Sequence, residues 1–295
     1  MSSDANTSHD LVGMLGKLIR RPEFGTLIGT VVVYVFFAYL GGKIFLGAPG
    51  WSAFLTMAAE VGIIALPVGL LMIAGELDIS VGAVVPAAAL TTALVSGHYD
   101  LPTWYGVFAG LAVGVMVGFI NGQLVTRTSI PSLIITIGTM FGAMGLTLGF
   151  TVMIAGSTGV FMTPDPSAKA LLGSSINFMF RATIFWWIGF AAIVYYFLHI
   201  SPWGNWVFAL GGDRESARNA GIPVSRVTVG LYMLSGFAAA FVGVSQVLTF
   251  GSAQVAAGQA FIFNSIMCAV IGGVLLTGGS GSVIGIVLGT LTFAI

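Results

Sequence analysis

The sharpest chemical feature of this 295-residue chain is a carboxylate inside an apolar run. Glu60 lies about nine residues into Trp51–Ala74, where burying a charge costs on the order of 3 kcal/mol. A residue kept there faces a wet path, carries a proton, or is paired. No basic residue falls at comparable depth, so pairing is not expected. Two uses stay open: acceptors for solute hydroxyls along a translocation path, or a protonated acid bonded to a neighbouring helix. Asn121, Gln123, Thr136 and Thr139 add uncharged polar groups within or near apolar runs. Each is a candidate path residue, though such groups more often bond one helix to another. A path of this kind suits a neutral, hydroxyl-rich solute, since a dianion or zwitterion would ask for deep cationic groups. The same glutamate could instead be the carrier of a proton-coupled secondary transporter, which is the rival reading.

Enzymatic chemistry is poorly served. Gly278-Gly279-Ser280-Gly281 fits a G-x-S-G pattern, but a nucleophilic serine needs a histidine base. The chain holds only His9, His98 and His199, and four small residues in a row read better as a turn. The single cysteine, Cys268, excludes an intrachain disulfide and a cysteine-based zinc site, and no metal is expected. There is no G-x-x-x-x-G-K-[ST], so the chain does not hydrolyse ATP through a P-loop.

The elements that must position these residues are membrane helices. The chain is 57% hydrophobic and 7% charged, with a mean hydropathy of +1.03, far from the composition of a soluble domain. Ten basic residues balance ten acidic ones, which leaves no basic face for nucleic acid. Apolar runs occur near Phe24–Leu46, Trp51–Ala74, Val81–Ser96, Trp104–Val125, Leu133–Ala155, Ala182–Ile200, Val229–Phe250 and Ile262–Thr277, with a last one from Val283. They are continuous and do not alternate as barrel strands do. The expectation is an all-α polytopic bundle of nine to ten spans, some broken or re-entrant. It comprises a cytoplasmic tail (1–23) and one transmembrane domain (24–295). The last run is too short to span and nothing caps it, so the sequence is expected to continue past Ile295.

Basic residues set the orientation. With the N-terminus in the cytoplasm, Lys17, Arg20, Arg21, Arg127, Arg214, Arg218 and Arg226 fall inside, and Lys43, Lys169 and Arg181 outside. The internal loop 201–228 is then the longest cytoplasmic connection. Within it Asp213 is a good N-cap, Gly221 suits the position past a helix end, and Pro223 stops continuation. A helix of about two turns over Arg214–Ala220 is marginal alone, so something must hold it. Ala217 and Ala220 leave small contacts where another surface could approach. Gly110, Gly114, Gly118 and Gly122 recur every four residues, as do Gly281, Gly285 and Gly289, which lets helix backbones approach closely. Aligning Gly75 with Gly278 also matches Gly82 with Gly285, a weak sign of internal repetition.

Four stretches together resemble the permease subunits of ribose/xylose-type ABC sugar importers. GELDISVG (Gly75, Glu76, Asp78, Ser80, Gly82) resembles the family's GGIDLSVG. GFINGQLVTRTSIPSLIITIGT (118–139) resembles its G-x-x-NG-x-L-V…I-P-x-x-I-x-T-L-G-T segment. LTGGSGSVIGIVLGT (276–290), with Gly278, Gly279, Ser280 and Gly281, resembles its L-x-GG-x-GS region. Gly212, Asp213, Arg214, Glu215, Ala217, Arg218 and Gly221 fall on its coupling loop. Glu76 stands where many members have Gly, and Asp213 where Asn is frequent.

The resemblance implies a multi-pass permease of a bacterial inner membrane that imports a neutral monosaccharide. It implies three partners: a second permease copy, a periplasmic sugar-binding protein, and a separate ATPase subunit that uses ATP and Mg. No cofactor is implied for this chain.

Overall fold

The computed structural model describes residues 22–176 and 179–295. The expected tail and its Lys17, Arg20 and Arg21 lie outside the described residues except at its last two positions. The order is α1 (Pro22–Leu46), α2 (Ala48–Ile73), α3 (Val81–Ala93), α4 (Thr103–Arg127) and α5 (Ser132–Ala155). A connection without a spanning helix follows: β1 (Gly159–Phe161), the single turn α6 (Pro166–Ala168), β2 (Ser175–Ile176) and β3 (Phe180–Arg181). Then come α7 (Ala182–Tyr195), α8 (Pro202–Gly212), α9 (Arg214–Asn219), α10 (Val224–Phe250), β4 (Ser252–Gln254), α11 (Gln259–Ile271) and α12 (Val283–Ala294). π-Helical turns prolong α3 through Leu94–His98 and α7 through Tyr196–Ile200.

Among the described residues seven helices are long and apolar enough to cross a membrane: α1 to α5, α7 and α10, with α3 and α7 counted through their π-turns. The runs expected to form the last two spans give only 13 and 12 helical residues. The run expected over Ile262–Thr277 stops at Ile271 because Gly272 and Gly273 follow, and Gly273 takes φ +85°, where a helix cannot continue. The all-α bundle stands.

α2 is the central post. From Val61 to Ile73 every residue is buried, against α7, α10, α11 and α12. A helix apolar all round belongs in such a place. α1, α5 and α7 instead present Leu, Phe and Ile outward, as lipid-facing helices do. The glycine stripe of α4 is a packing seam with α10. A Cβ on Gly114 would lie 2.3 Å from the Gly236 carbonyl oxygen, and one on Gly118 would lie 2.2 Å from that of Tyr232. Gly122 meets Val229, and Gly110 meets Thr92 on α3. Gly285 and Gly289 do the same between α12 and α11, at Gly272 and Cys268.

The ends sort into two faces. The N-terminal end of α1 meets the end of α11 through Thr26 Oγ1 donating to the Ile271 carbonyl. Gly279 N donates to the Ile73 carbonyl at 2.8 Å, joining the ends of α2 and the 272–282 turn. α8 and α9 lie on this face. On the other, β1 pairs antiparallel with β4, and β2 with β3.

Candidate functional site

Two polar centres and one glycine junction stand out. The first centre forms where GELDISVG breaks the path from α2 to α3. Gly75 takes φ +81°, and the chain turns back through Leu77 and Asp78 to start α3 at Val81. Asp78 is fully buried. Its Oδ1 accepts from Ser80 N at 2.9 Å and Ser80 Oγ at 2.6 Å, and its Oδ2 from Ser235 Oγ at 2.7 Å. Asn121 Nδ2 donates to Ser80 Oγ at 2.8 Å, and Tyr232 Oη to the Leu77 carbonyl at 3.0 Å. Burial pushes the Asp78 carboxyl above its ordinary value, against the opposite pull of the serine donors. An acid in a turn between two apolar runs is expected at the water interface, but Asp78 is not there: local Ser80 and distant Ser235 make a buried knot around it. Glu76 is also buried and pairs with Arg214 of α9. The Ser80 amide at the start of α3 and two serine hydroxyls hold Asp78, whereas a side chain, Arg214, holds Glu76.

The second centre corrects the expectation for Glu60. Arg181 Nη1 lies 3.2 Å from Glu60 Oε1, and Gln246 Nε2 donates to Glu60 Oε2 at 2.8 Å. The Arg181 guanidinium also sits 4.8 Å from the centre of the Phe250 ring. Depth along the sequence misled here, because the Arg181 side chain reaches in from the start of α7 to the carboxylate. The glutamate ties α2 to α7 and α10.

The remaining path candidates do not gather with Glu60. Asn121 belongs to the Asp78 knot. Thr136 is buried and donates to the Ser132 carbonyl of its own helix at 2.9 Å; Thr139 donates to that of Thr136 at 3.2 Å. Gln123 lines a pocket beside Arg127 and Arg226, while Thr139 lines a separate one with Ile130 and Ile134.

The junction joins α8 to both turns. A Cβ on Gly211 would lie 1.8 Å from the Ile73 carbonyl oxygen and 2.5 Å from Gly279 N. Gly278, at φ +85°, has Gly75 and Gly211 on either side, and Gly279 takes φ +75°. The turns around Gly75 and around Gly278–Gly281 thus share one contact, with the end of α8 wedged between them. Ser280 gives its carbonyl to Leu275 N at 3.2 Å within that second turn. Gly82, beyond the first turn, packs on Ile262 of α11.

α9 follows directly. Asp213 caps it, accepting from Glu215 N at 3.0 Å and Ser216 Oγ at 2.6 Å. Gly221, at φ +82°, closes it: its N–H meets the Arg218 carbonyl, and that of Ile222 meets Ala217. Ala217 is buried against the protein's own body, so it is no open contact for a partner; Glu215, Arg218 and Ala220 are exposed. Sequence reasoning missed α8, for which Pro202 at its first turn was the available signal. The donors around Asp213 hold its carboxyl below the ordinary value. Its stabilising effect is complete above the unfolded value and is lost as pH falls through the depressed one. Asp213→Ala is expected to speed amide exchange across Arg214–Asn219, whereas Asp213→Asn keeps the cap and the protection.

The comparisons agree with this architecture. Residues 50–295 match the family described as branched-chain amino acid transport system / permease component. The fructose import permease protein of Rhizobium meliloti is 31% identical, over 98% of this chain and 81% of its own. The autoinducer 2 import system permease protein of Photorhabdus temperata is 32% identical, over 78% and 69%. The xylose/arabinose import permease protein of Sulfolobus acidocaldarius is 29% identical, over 93% and 76%. No solved structure matches. The chain therefore belongs to the branched-chain amino acid transport system / permease component family, and is a multi-pass inner-membrane permease subunit of an ABC importer whose ATPase is a separate polypeptide.

Proposed function

We propose that the chain passes a neutral monosaccharide (pentose, hexose or cyclic polyol) inward from a periplasmic binding protein. It works beside a second copy of itself, while ATP and Mg are bound by the partner ATPase. The N-terminus lies in the cytoplasm, α11 and α12 form a broken crossing, and α8–α9 receive the ATPase. The observation that carries this reading is the seat of α8 on two backbone turns at once. A push on α9 passes to α8, whose Gly211 bears on Gly75 between α2 and α3 and on Gly278 between α11 and α12. Relatives named for fructose and for xylose and arabinose import support the solute class. The sidedness of charge supports the orientation: Arg127, Arg214, Arg218 and Arg226 share the coupling face, and Lys169 and Arg181 lie on the other. The ion pair at Glu60 weighs against a proton carrier there, since protonation would break that pair.

The test uses the complex reconstituted with its ATPase and binding protein. Glu215→Arg reverses an exposed charge that holds nothing inside the fold by its side chain. It is expected to leave thermal unfolding unchanged and to lower sugar-stimulated ATP hydrolysis and uptake by about tenfold or more. Unchanged sugar-stimulated hydrolysis would refute the docking role of α9. Ala217→Trp is unsuited to this purpose, because the buried alanine would report on folding.

A further inference from the structure

A long groove runs between α4, α7 and α10, with a volume of about 710 Å³. Its walls are almost wholly carbon, including Trp186, Phe190, Phe237 and Phe241. Along α10 it extends from Phe241 to Arg226, about 22 Å at the helical rise, which exceeds the ~15 Å of hydrocarbon in one leaflet. It opens sideways: Phe108 and Ile193 on its rim are two-thirds exposed. At its Arg226 end it meets a second, polar pocket of about 430 Å³ lined by Gln123, Thr126, Arg127, Ser225 and Arg226. Gly230 lines both.

The glycine seam explains why two arginines meet there. α4 and α10 run antiparallel, with Gly122 against Val229, so the last residue of α4, Arg127, comes beside Arg226 in the first turn of α10. Both are exposed, and among the described residues neither forms an ion pair or hydrogen bond. Two like charges at the mouth of an apolar channel, level with the helix ends, call for an anion attached to a hydrocarbon chain.

We propose that the groove and the basic pocket together bind one anionic phospholipid, with an acyl chain against α7 and α10 and its phosphate on Arg127 and Arg226. The channel lies parallel to the helices, and so to lipid chains. Its polar end lies where headgroups lie, and the charges are complementary. The site is independent of how α9 meets its ATPase.

The purified full-length chain, mixed with equal dioleoyl-phosphatidylglycerol and dioleoyl-phosphatidylcholine, would be examined by native mass spectrometry. One retained phosphatidylglycerol is expected, preferred by about fivefold for each arginine. The double variant Arg127→Gln/Arg226→Gln should bring the two lipids to parity, and Gly230→Phe should expel both. A Cβ at Gly230 meets nothing within 4 Å, so the substituted side chain starts from open space on the groove wall. Equal retention by the unmodified chain, a preference that survives the double variant, or displacement of the lipid by inorganic phosphate alone would each overturn the proposal. So would lipid binding unaffected by Gly230→Phe while the dimer dissociates, which would assign the groove to a second copy.

Discussion

Gly211→Ala is expected to abolish coupled uptake, while the neighbouring Gly212→Ala leaves it intact. The contrast rests on where each added methyl falls. At 211 it meets the Ile73 carbonyl oxygen at 1.8 Å and Gly279 N at 2.5 Å, and those two atoms are themselves hydrogen-bonded. Both are backbone, so no rotamer change relieves the clash. Either α8 lifts off or the two turns part. The cost is about 3 kcal/mol, at the upper end of ordinary overpacking. At 212 nothing lies within 4 Å. Uptake and thermal unfolding of the two reconstituted variants, measured side by side, decide the matter. A Gly211→Ala complex with normal uptake would show that the junction transmits nothing.

That junction was only half legible in the sequence. Gly75 and Gly278 are visible as breaks after apolar runs, and Asp213, Gly221 and Pro223 mark out α9 from local capping chemistry alone. What the sequence hides is that Gly211 brings the two breaks together, because close approach between segments 67 or more residues apart leaves no periodic trace. Glu60 shows the same limit more sharply. Its partners Arg181 and Gln246 lie 121 and 186 residues away, and one enters from the corner between β3 and α7. Counting depth along each run cannot see such a reach. By contrast the α4 stripe is periodic, and its four glycines fall against neighbouring helix surfaces in turn. The shortness of α11 follows from Gly272–Gly273, which a hydropathy run passes over because glycine is neither polar nor charged.

The Asp78 knot carries the second large effect. Asp78→Ala would leave the Ser80 amide and the hydroxyls of Ser80 and Ser235 without an acceptor in a buried site. Each buried donor left unsatisfied costs about 1–3 kcal/mol, so a loss of about 4 kcal/mol is expected. That is a large share of the 5–15 kcal/mol typical of a folded protein. Asp78→Asn is a different case. Its carbonyl oxygen keeps both Ser80 donors, and its amide meets Ser235 Oγ, which turns to accept. The asparagine variant should therefore unfold close to the unmodified chain, and the alanine variant far below it. The pH dependence separates charge from shape. Burial raises the Asp78 carboxyl, so its stabilising effect is full below the unfolded value and is lost as pH rises through the folded one. Asp78→Asn removes that part of the decline, leaving a flatter profile of unfolding temperature as pH rises above the ordinary carboxylate range. An asparagine variant as unstable as the alanine one would mean that the knot needs the negative charge itself. In that case the three donors answer a carboxylate rather than a neutral acid.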